Sequence, residues 1–281
     1  MPLSEALRGW EPPTVTLTRR VDPWAAAAFA GLLDTAPPSG PLPPMWHWFT
    51  VLEHPAQAEI GADGHPAHGP FLPPIPGRRR MFAGGRLTQH APIPMGAVLE
   101  CSAAVSNVAV KSGRSGELAF VTTRYELAVD GSPAAVEEQD IVYRSEPPGT
   151  PPRTTARPEG GEPEPAGAWR LALATDPVLL ARFSALTYNG HRIHYDTPYT
   201  TGVEGYPDLV IHGPLLALLA LELPRRHAPG STVAEFAYRL VRPAFHPARI
   251  VAAGSRDGEG VELAVAAEGV SPSLTATARL R

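Results

Sequence analysis

The chain has 281 residues, enough for one large or two ordinary domains with a sizeable core. Its formal net charge of −4 argues against a general nucleic-acid binder, which would carry a basic face. The single cysteine, Cys101, rules out an internal disulfide and a cysteine-built zinc site, and suits a reducing cytoplasm.

No basic start leads into an apolar run, so no signal peptide is expected. No apolar stretch approaches the ~18–20 residues of a membrane span, so no membrane partner is expected either. The first predicted element is a helix over residues 21–33, VDPWAAAAFAGLL, with Asp22 as N-cap and Pro23 at the first helical position. Residues 44–52, PMWHWFTVL, read as a second helix opened by proline. His54, His65 and His68 follow in a Pro/Gly-rich stretch and read as solvated. Strands are predicted at 81–89, 98–111, 117–129 and 134–144, with β-branched and aromatic residues in alternation. Asp130-Gly131 marks a hairpin between two of them. The basic run Arg78–Arg80 stands at a strand start, and Lys111 and Arg114 lie in the loop KSGRSG. Each has two readings: a solvated edge, or a contact with phosphates or a carboxylate of a ligand.

Residues 146–168 are rich in proline, glycine and charge, cannot form a core, and read as an extended linker. This divides the chain into a first unit at 1–145 and a second at 169–281. In the second, a helical region starts near Asp176 and a polar turn carries Asn189 and His194. A helix, PLLALLALEL, then runs from Pro214 to Leu223 and is apolar on every side except at Glu222, so it must be enclosed. Pro224 is expected to stop it, leaving Arg225 and Arg226 at its negative end. Strands are predicted at 232–241, 248–254, 260–267 and 273–280. The segments RLTQHAPIPMGAVLECSAAV and RLVRPAFHPARIVAAGS share a layout of strand, proline-broken bend and strand. The expected fold is therefore α+β: two related units of curled antiparallel sheet, each wrapped around a central helix. Open sheet edges lead one to expect a homodimer.

The chemistry gathers between residues 181 and 223. Gly213 leaves the backbone N–H groups at the positive end of the apolar helix open, a place that could hold an oxyanion. Asn189 and His194 are five residues apart, so they can share a ligand only if the segment bends, which Gly190 permits. Asp196 could fix the imidazole tautomer or cap the next turn. His191, His194 and Asp196 suggest a metal cluster on paper, but the spacing fits no known set, and no metal is expected. No phosphate-binding glycine motif and no G-x-S-x-G elbow is present.

The run N-G-H-R-I-H, followed by Ile211-His212-Gly213, resembles the D-x-N-P-x-H and His-Gly signatures of the MaoC-like, hotdog-fold enoyl-CoA hydratases. The segments RFSALTYNGHRIHYD and EGYPDLVIHGPL are similar to one branch of that family. It contains mesaconyl-C4-CoA (3-methylfumaryl-CoA) hydratases and mitochondrial 3-hydroxyacyl-thioester dehydratases. PLPPMWHWF, GGRL and KSGRSG extend the resemblance over most of the chain. It implies a tandem double hotdog fold and reversible hydration of a 2-enoyl thioester, with coenzyme A or a carrier protein as part of the substrate and no other cofactor. His194 would be the acid–base group, Asn189 would orient water, and Gly213 would donate to the thioester carbonyl. Asn189 replaces the family's acid, which moves proton transfer onto His194. The first unit would support the pocket. Arg192, Tyr188, Tyr195 and His212 are further candidates for substrate binding, alongside Arg78, Arg80, Lys111 and Arg114. A hotdog thioesterase, or a repurposed binding or cyclising protein, are the rival readings.

Overall fold

A computed structural model describes residues 2–113, 116–146, 150, 154–158, 160 and 166–281. Most of the expected linker, and Arg114, lie outside these residues. After a short helix α1 (Leu3–Ala6), the first half runs β1 (Val15–Arg20), α2 (Pro23–Leu32), β2 (Arg78–Gln89), β3 (Val98–Gly113), β4 (Gly116–Val129) and β5 (Ser132–Ser145). The second runs β6 (Trp169–Ala174), α3 (Pro177–Leu186), α4 (Thr197–Gly202), α5 (Gly213–His227), β7 (Val233–Leu240), β8 (Arg249–Asp257), β9 (Gly260–Ala267) and β10 (Leu274–Leu280). All ten strands form one antiparallel sheet in the order β1-β3-β4-β5-β2-β7-β10-β9-β8-β6.

That order reads the same from either edge, with β1 matching β6, β3 matching β8, and so inward to β2 and β7. The internal repeat of the sequence is thus a structural one, and the β2–β7 pairing from Gly84↔Arg239 to Thr88↔Glu235 joins its halves. The helices α2 and α3 are also counterparts. Asp22 and Asp176 each accept a hydrogen bond from a first-turn backbone N–H (2.8 and 2.7 Å), and each cap precedes a proline. Phe29 and Phe183 meet where the two helices pack, their rings 6.1 Å apart. Asp130 and Gly131 both take positive φ, as a two-residue hairpin turn requires.

The long central helix is a feature of the second half. Leu215 to Pro224 are all buried in α5, as an all-round apolar helix demands. The corresponding part of the first half, between α2 and β2, is dense in proline, which cannot donate within a helix. The helix predicted at 44–52 is a single 3₁₀ turn, Trp46–Phe49, preceded by Met45 in the left-handed region. Pro224 does not end α5, which continues to His227. Arg225 and Arg226 fold back onto the buried Glu222 carboxylate (2.5 and 3.1 Å), three and four residues earlier, and hold the last turn despite the missing N–H. Among the described residues, no helix is long and apolar enough to cross a membrane.

Candidate active site

The chain leaves α3 through Tyr188 in the left-handed region, and Asn189 N–H donates to the Ser184 carbonyl (2.8 Å). The Asn189 side-chain oxygen accepts from His191 N–H (3.0 Å), closing a tight turn before a 3₁₀ turn, Arg192–His194. The Asn189 oxygen is thereby engaged, and its amide NH₂ is the part able to face a ligand.

His194 is buried at 7% exposure and its Nδ1 lies 2.7 Å from the Val210 carbonyl. A carbonyl only accepts, so Nδ1 carries the proton and Nε2 keeps its lone pair. Burial lowers the imidazole pKa to about 4, with His65 acting in the same direction and the Val210 bond opposing both. At neutral pH the ring is an uncharged base. The tautomer is therefore set by Val210. Asp196 instead caps α4 through Tyr199 N–H (3.1 Å) and pairs with Arg192.

His212 stacks on His194 with ring centroids 3.6 Å apart and planes 17° apart. Its Nε2 lies 2.8 Å from Ser184 Oγ, and its buried Nδ1 has no partner. Burial again holds this ring well below the usual histidine range. His212 is the N-cap of α5, so the stack places the His194 ring beside the helix's positive end. Pro214 has no N–H, so Gly213 supplies the first donor at the tip. A Cβ on Gly213 would stand 2.5 Å from Leu240 Cδ1 and 3.5 Å from Phe82 Cδ1, so a larger residue there would have to displace the Leu240 side chain. Phe82 belongs to an aromatic wall with Trp48 and Tyr238, at centroid distances of 6.1–6.5 Å. Trp48 Nε1 and His47 Nε2 are both anchored on the buried Glu137 carboxylate (2.8 and 2.5 Å).

The first half reaches into this site through residues 61–67. Arg192 N–H donates to the Asp63 carbonyl (2.9 Å), and Gly64 and Gly190 are in direct backbone contact. Asp63 and His65 are joined side chain to side chain (Oδ2–Nδ1 3.1 Å). The His65 ring lies 3.9 Å from that of His191, which in turn meets the His194 ring edge-on at 5.6 Å. Four imidazoles, His65, His191, His194 and His212, thus form a continuous row. Burial lowers the His65 and His191 pKa values, the latter to about 2, and Arg80 adds to both shifts. Burial alone would raise Asp63, but its bond and charge interaction with His65 hold it below the usual carboxylate range.

His65 is thus part of the site and not a solvated loop residue as the sequence suggested. Its signal was the Asp-x-His spacing of Asp63 and His65, which favours a local side-chain turn. Asp63, His65 and His191 are also the described residues whose donor atoms approach a metal-ligand grouping, within 4.8 Å of one another. The Asp63–His65 bond and the nearby Arg80 charge make that environment unfavourable to a dication.

The other expected ligands divide. Arg192 commits its donors to Asp196 (2.9 and 2.8 Å) and the Ala62 carbonyl (3.0 Å), and its guanidinium lies over the Tyr199 ring. The Tyr195 hydroxyl donates to the Gly190 carbonyl (2.8 Å), so it braces the turn. Tyr188 is exposed beside His54. Arg78 is tied to two carbonyls, and Lys111 is exposed, with its ammonium 4.9 Å from the Phe120 ring.

A family model described as hydroxyacyl-thioester dehydratase type 2 matches residues 45–246. The chain is 43% identical over 262 residues, 91% of each chain, to the mesaconyl-C(4)-CoA hydratase of Chloroflexus aurantiacus. It is 42% identical over 78 residues, 26% of each chain, to the mitochondrial hydroxyacyl-thioester dehydratase type 2 of Schizosaccharomyces pombe. Among solved structures it is similar to HtdX of Mycobacterium tuberculosis, with a TM-score of 0.66 and 19% identity over 95% of this chain and 99% of that one. It is also similar to a MaoC-like dehydratase of Phytophthora capsici, with a TM-score of 0.69 and 15% identity over 100% and 99% of the respective chains. At those identities the structural likeness establishes the fold.

Proposed function

The chain belongs to the hydroxyacyl-thioester dehydratase type 2 family, and we propose that this hydro-lyase interconverts a 2-enoyl and a 3-hydroxyacyl thioester at His194. The acyl group would be a short branched diacid borne on coenzyme A, as in the mesaconyl-C(4)-CoA named for its relative. The thioester carbonyl would rest on Gly213 N–H at the positive end of α5, where charge developing on its oxygen is stabilised. This draws electrons from the β-carbon. A water oriented by the Asn189 amide adds its oxygen there, and one of its protons passes to His194 Nε2. The same imidazole then returns a proton to the α-carbon on the same face, so it ends as it began. Addition of water involves no net oxidation or reduction, and the route calls on no redox cofactor.

The observation that carries this reading is the Nδ1–Val210 bond on a buried, neutral imidazole stacked against the residue that caps α5. It leaves one basic nitrogen beside one oxyanion donor. The test is a panel of mesaconyl-, crotonyl- and longer enoyl thioesters, followed by enoyl absorbance. His194→Ala should lower kcat about 10²- to 10⁴-fold, with its melting temperature showing that the fold survives. Release of free thiol without hydration would instead establish a thioesterase.

A further inference from the structure

Three arginines stand in a row at the start of β2, and the fold treats each differently. Arg78 donates to the Pro73 and Ala67 carbonyls (both 2.8 Å). Arg79 is paired with Glu146 (2.8 Å) and with the buried Glu204. Arg80 is half-buried and has no hydrogen bond or ion pair among the described residues. Its charge is felt by the His65 and His191 rings and by the Tyr125 and Tyr143 hydroxyls, none of them anionic at neutral pH. A guanidinium partly withdrawn from water without a counter-charge is costly, and a carboxylate would relieve that cost through a two-pronged pair.

Register gives the distance. Across β2 and β5, Phe82 stands opposite Ile141 and Arg80 opposite Tyr143. Phe82 and Arg80 therefore share a face, about 7 Å apart along the strand. Phe82 itself lies against Gly213, its Cδ1 3.5 Å from the place a Cβ would take. Arg80 thus stands one same-face position along β2 from the residue that touches the α5 tip. His65 and His191, the two rings that feel the Arg80 charge, continue as a row to His194. Arg192, the other arginine of this region, has its donors engaged.

We propose that Arg80 determines substrate choice by binding the free carboxylate of a dicarboxylic enoyl thioester while its thioester carbonyl rests on Gly213. This rests on the hydration reading above, and it makes the first half the part of the molecule that measures the acyl group.

The experiment compares kcat/KM for mesaconyl-C4-CoA and crotonyl-CoA, which lacks the second carboxylate, in the wild type, Arg80→Met and Arg80→Lys. The ratio of the two values should fall about 10- to 100-fold in Arg80→Met, the range for a hydrogen-bonded charge. Arg80→Lys should fall between, because it keeps the charge and loses the planar fork. A second arm needs no turnover. In His194→Ala protein, calorimetric binding of succinyl-CoA should exceed that of butyryl-CoA, and adding Arg80→Met should abolish the preference. A ratio within about twofold of wild type, or an unchanged calorimetric preference, would overturn the assignment. If the wild type hydrates neither thioester, the hydration reading fails, while the binding arm still decides the role of Arg80.

Discussion

The two halves share strand order, a capped first helix and a common sheet, but differ in what stands between that helix and the long strand after it. In the second half this interval holds the Asn189–His194 turn and the apolar helix α5, the parts on which the hydration proposal rests. In the first half proline prevents a matching helix, and the interval instead lays residues 61–67 against the turn of its counterpart. One half thus carries the turn and helix of the candidate site, and the other packs against that turn. The site exists only where they touch.

The sharpest way to break that relationship is at Gly64. It sits at φ +89°, and a Cβ there would come within 1.8 Å of the Gly190 carbonyl oxygen, a backbone atom with no freedom to swing aside. Gly64→Ala should force the loop off the turn, displacing Asp63, His65 and the His191–His194 segment together. A displacement of about 1 Å in a catalytic group costs on the order of 10²-fold in rate. We expect a loss of kcat of that size, with a much smaller change in melting temperature, since the main core clusters of the sheet and α5 do not include the loop. A rate within about threefold of wild type would mean that the first half does not brace the turn.

A smaller effect is expected at Gly213, within the second half. The added Cβ of Gly213→Ala would stand 2.5 Å from Leu240 Cδ1, the end of a side chain that can rotate. A loss of about tenfold in kcat/KM should follow from crowding at the oxyanion donor. Leu240→Ala in the same protein should restore much of it by removing the clashing atom. If the double variant is no better than the single one, the loss does not come from that contact.

Much of this was legible in the chain. Asp22-Pro23 marked the first capped helix and Asp176 the start of its counterpart, strand patterns marked the four long strands of each half, and the all-apolar run ending at Leu223 marked the buried helix. The persistence of α5 past Pro224 was hidden because it depends on Arg225 and Arg226 finding a buried Glu222. His65 was hidden for a different reason. Its partner His191 lies far along the sequence, and no local pattern encodes a contact made by folding one half onto the other. Likewise, nothing in Arg78-Arg79-Arg80 distinguishes the three residues until Pro73, Ala67, Glu146 and Glu204 are seen to satisfy only the first two.

The subtlest test of how the halves cooperate lies in pH. His194 must be neutral to accept a proton, and with a pKa of about 4 it stays neutral well below the point where an ordinary histidine charges. The acid limb of kcat/KM should therefore fall near pH 4 and not near 6.5. Burial is the main cause and His65 a lesser one, so His65→Ala should raise the His194 pKa by admitting water and removing a ring that charges in acid. A raised pKa means a base protonated at higher pH, and the acid limb should move upward by about half a unit to one unit. His65→Gln, which keeps bulk without charge, should move it less. Stability follows the same sign. The unfolded chain binds more protons than the native one between the native value and 6.5, so stability present above pH 6.5 is lost as pH falls towards 4. His65→Ala should flatten that loss, since the charged form of His194 would then be less disfavoured in the fold. Coincident acid limbs for the variant and the wild type would show that the second half sets its own base unaided.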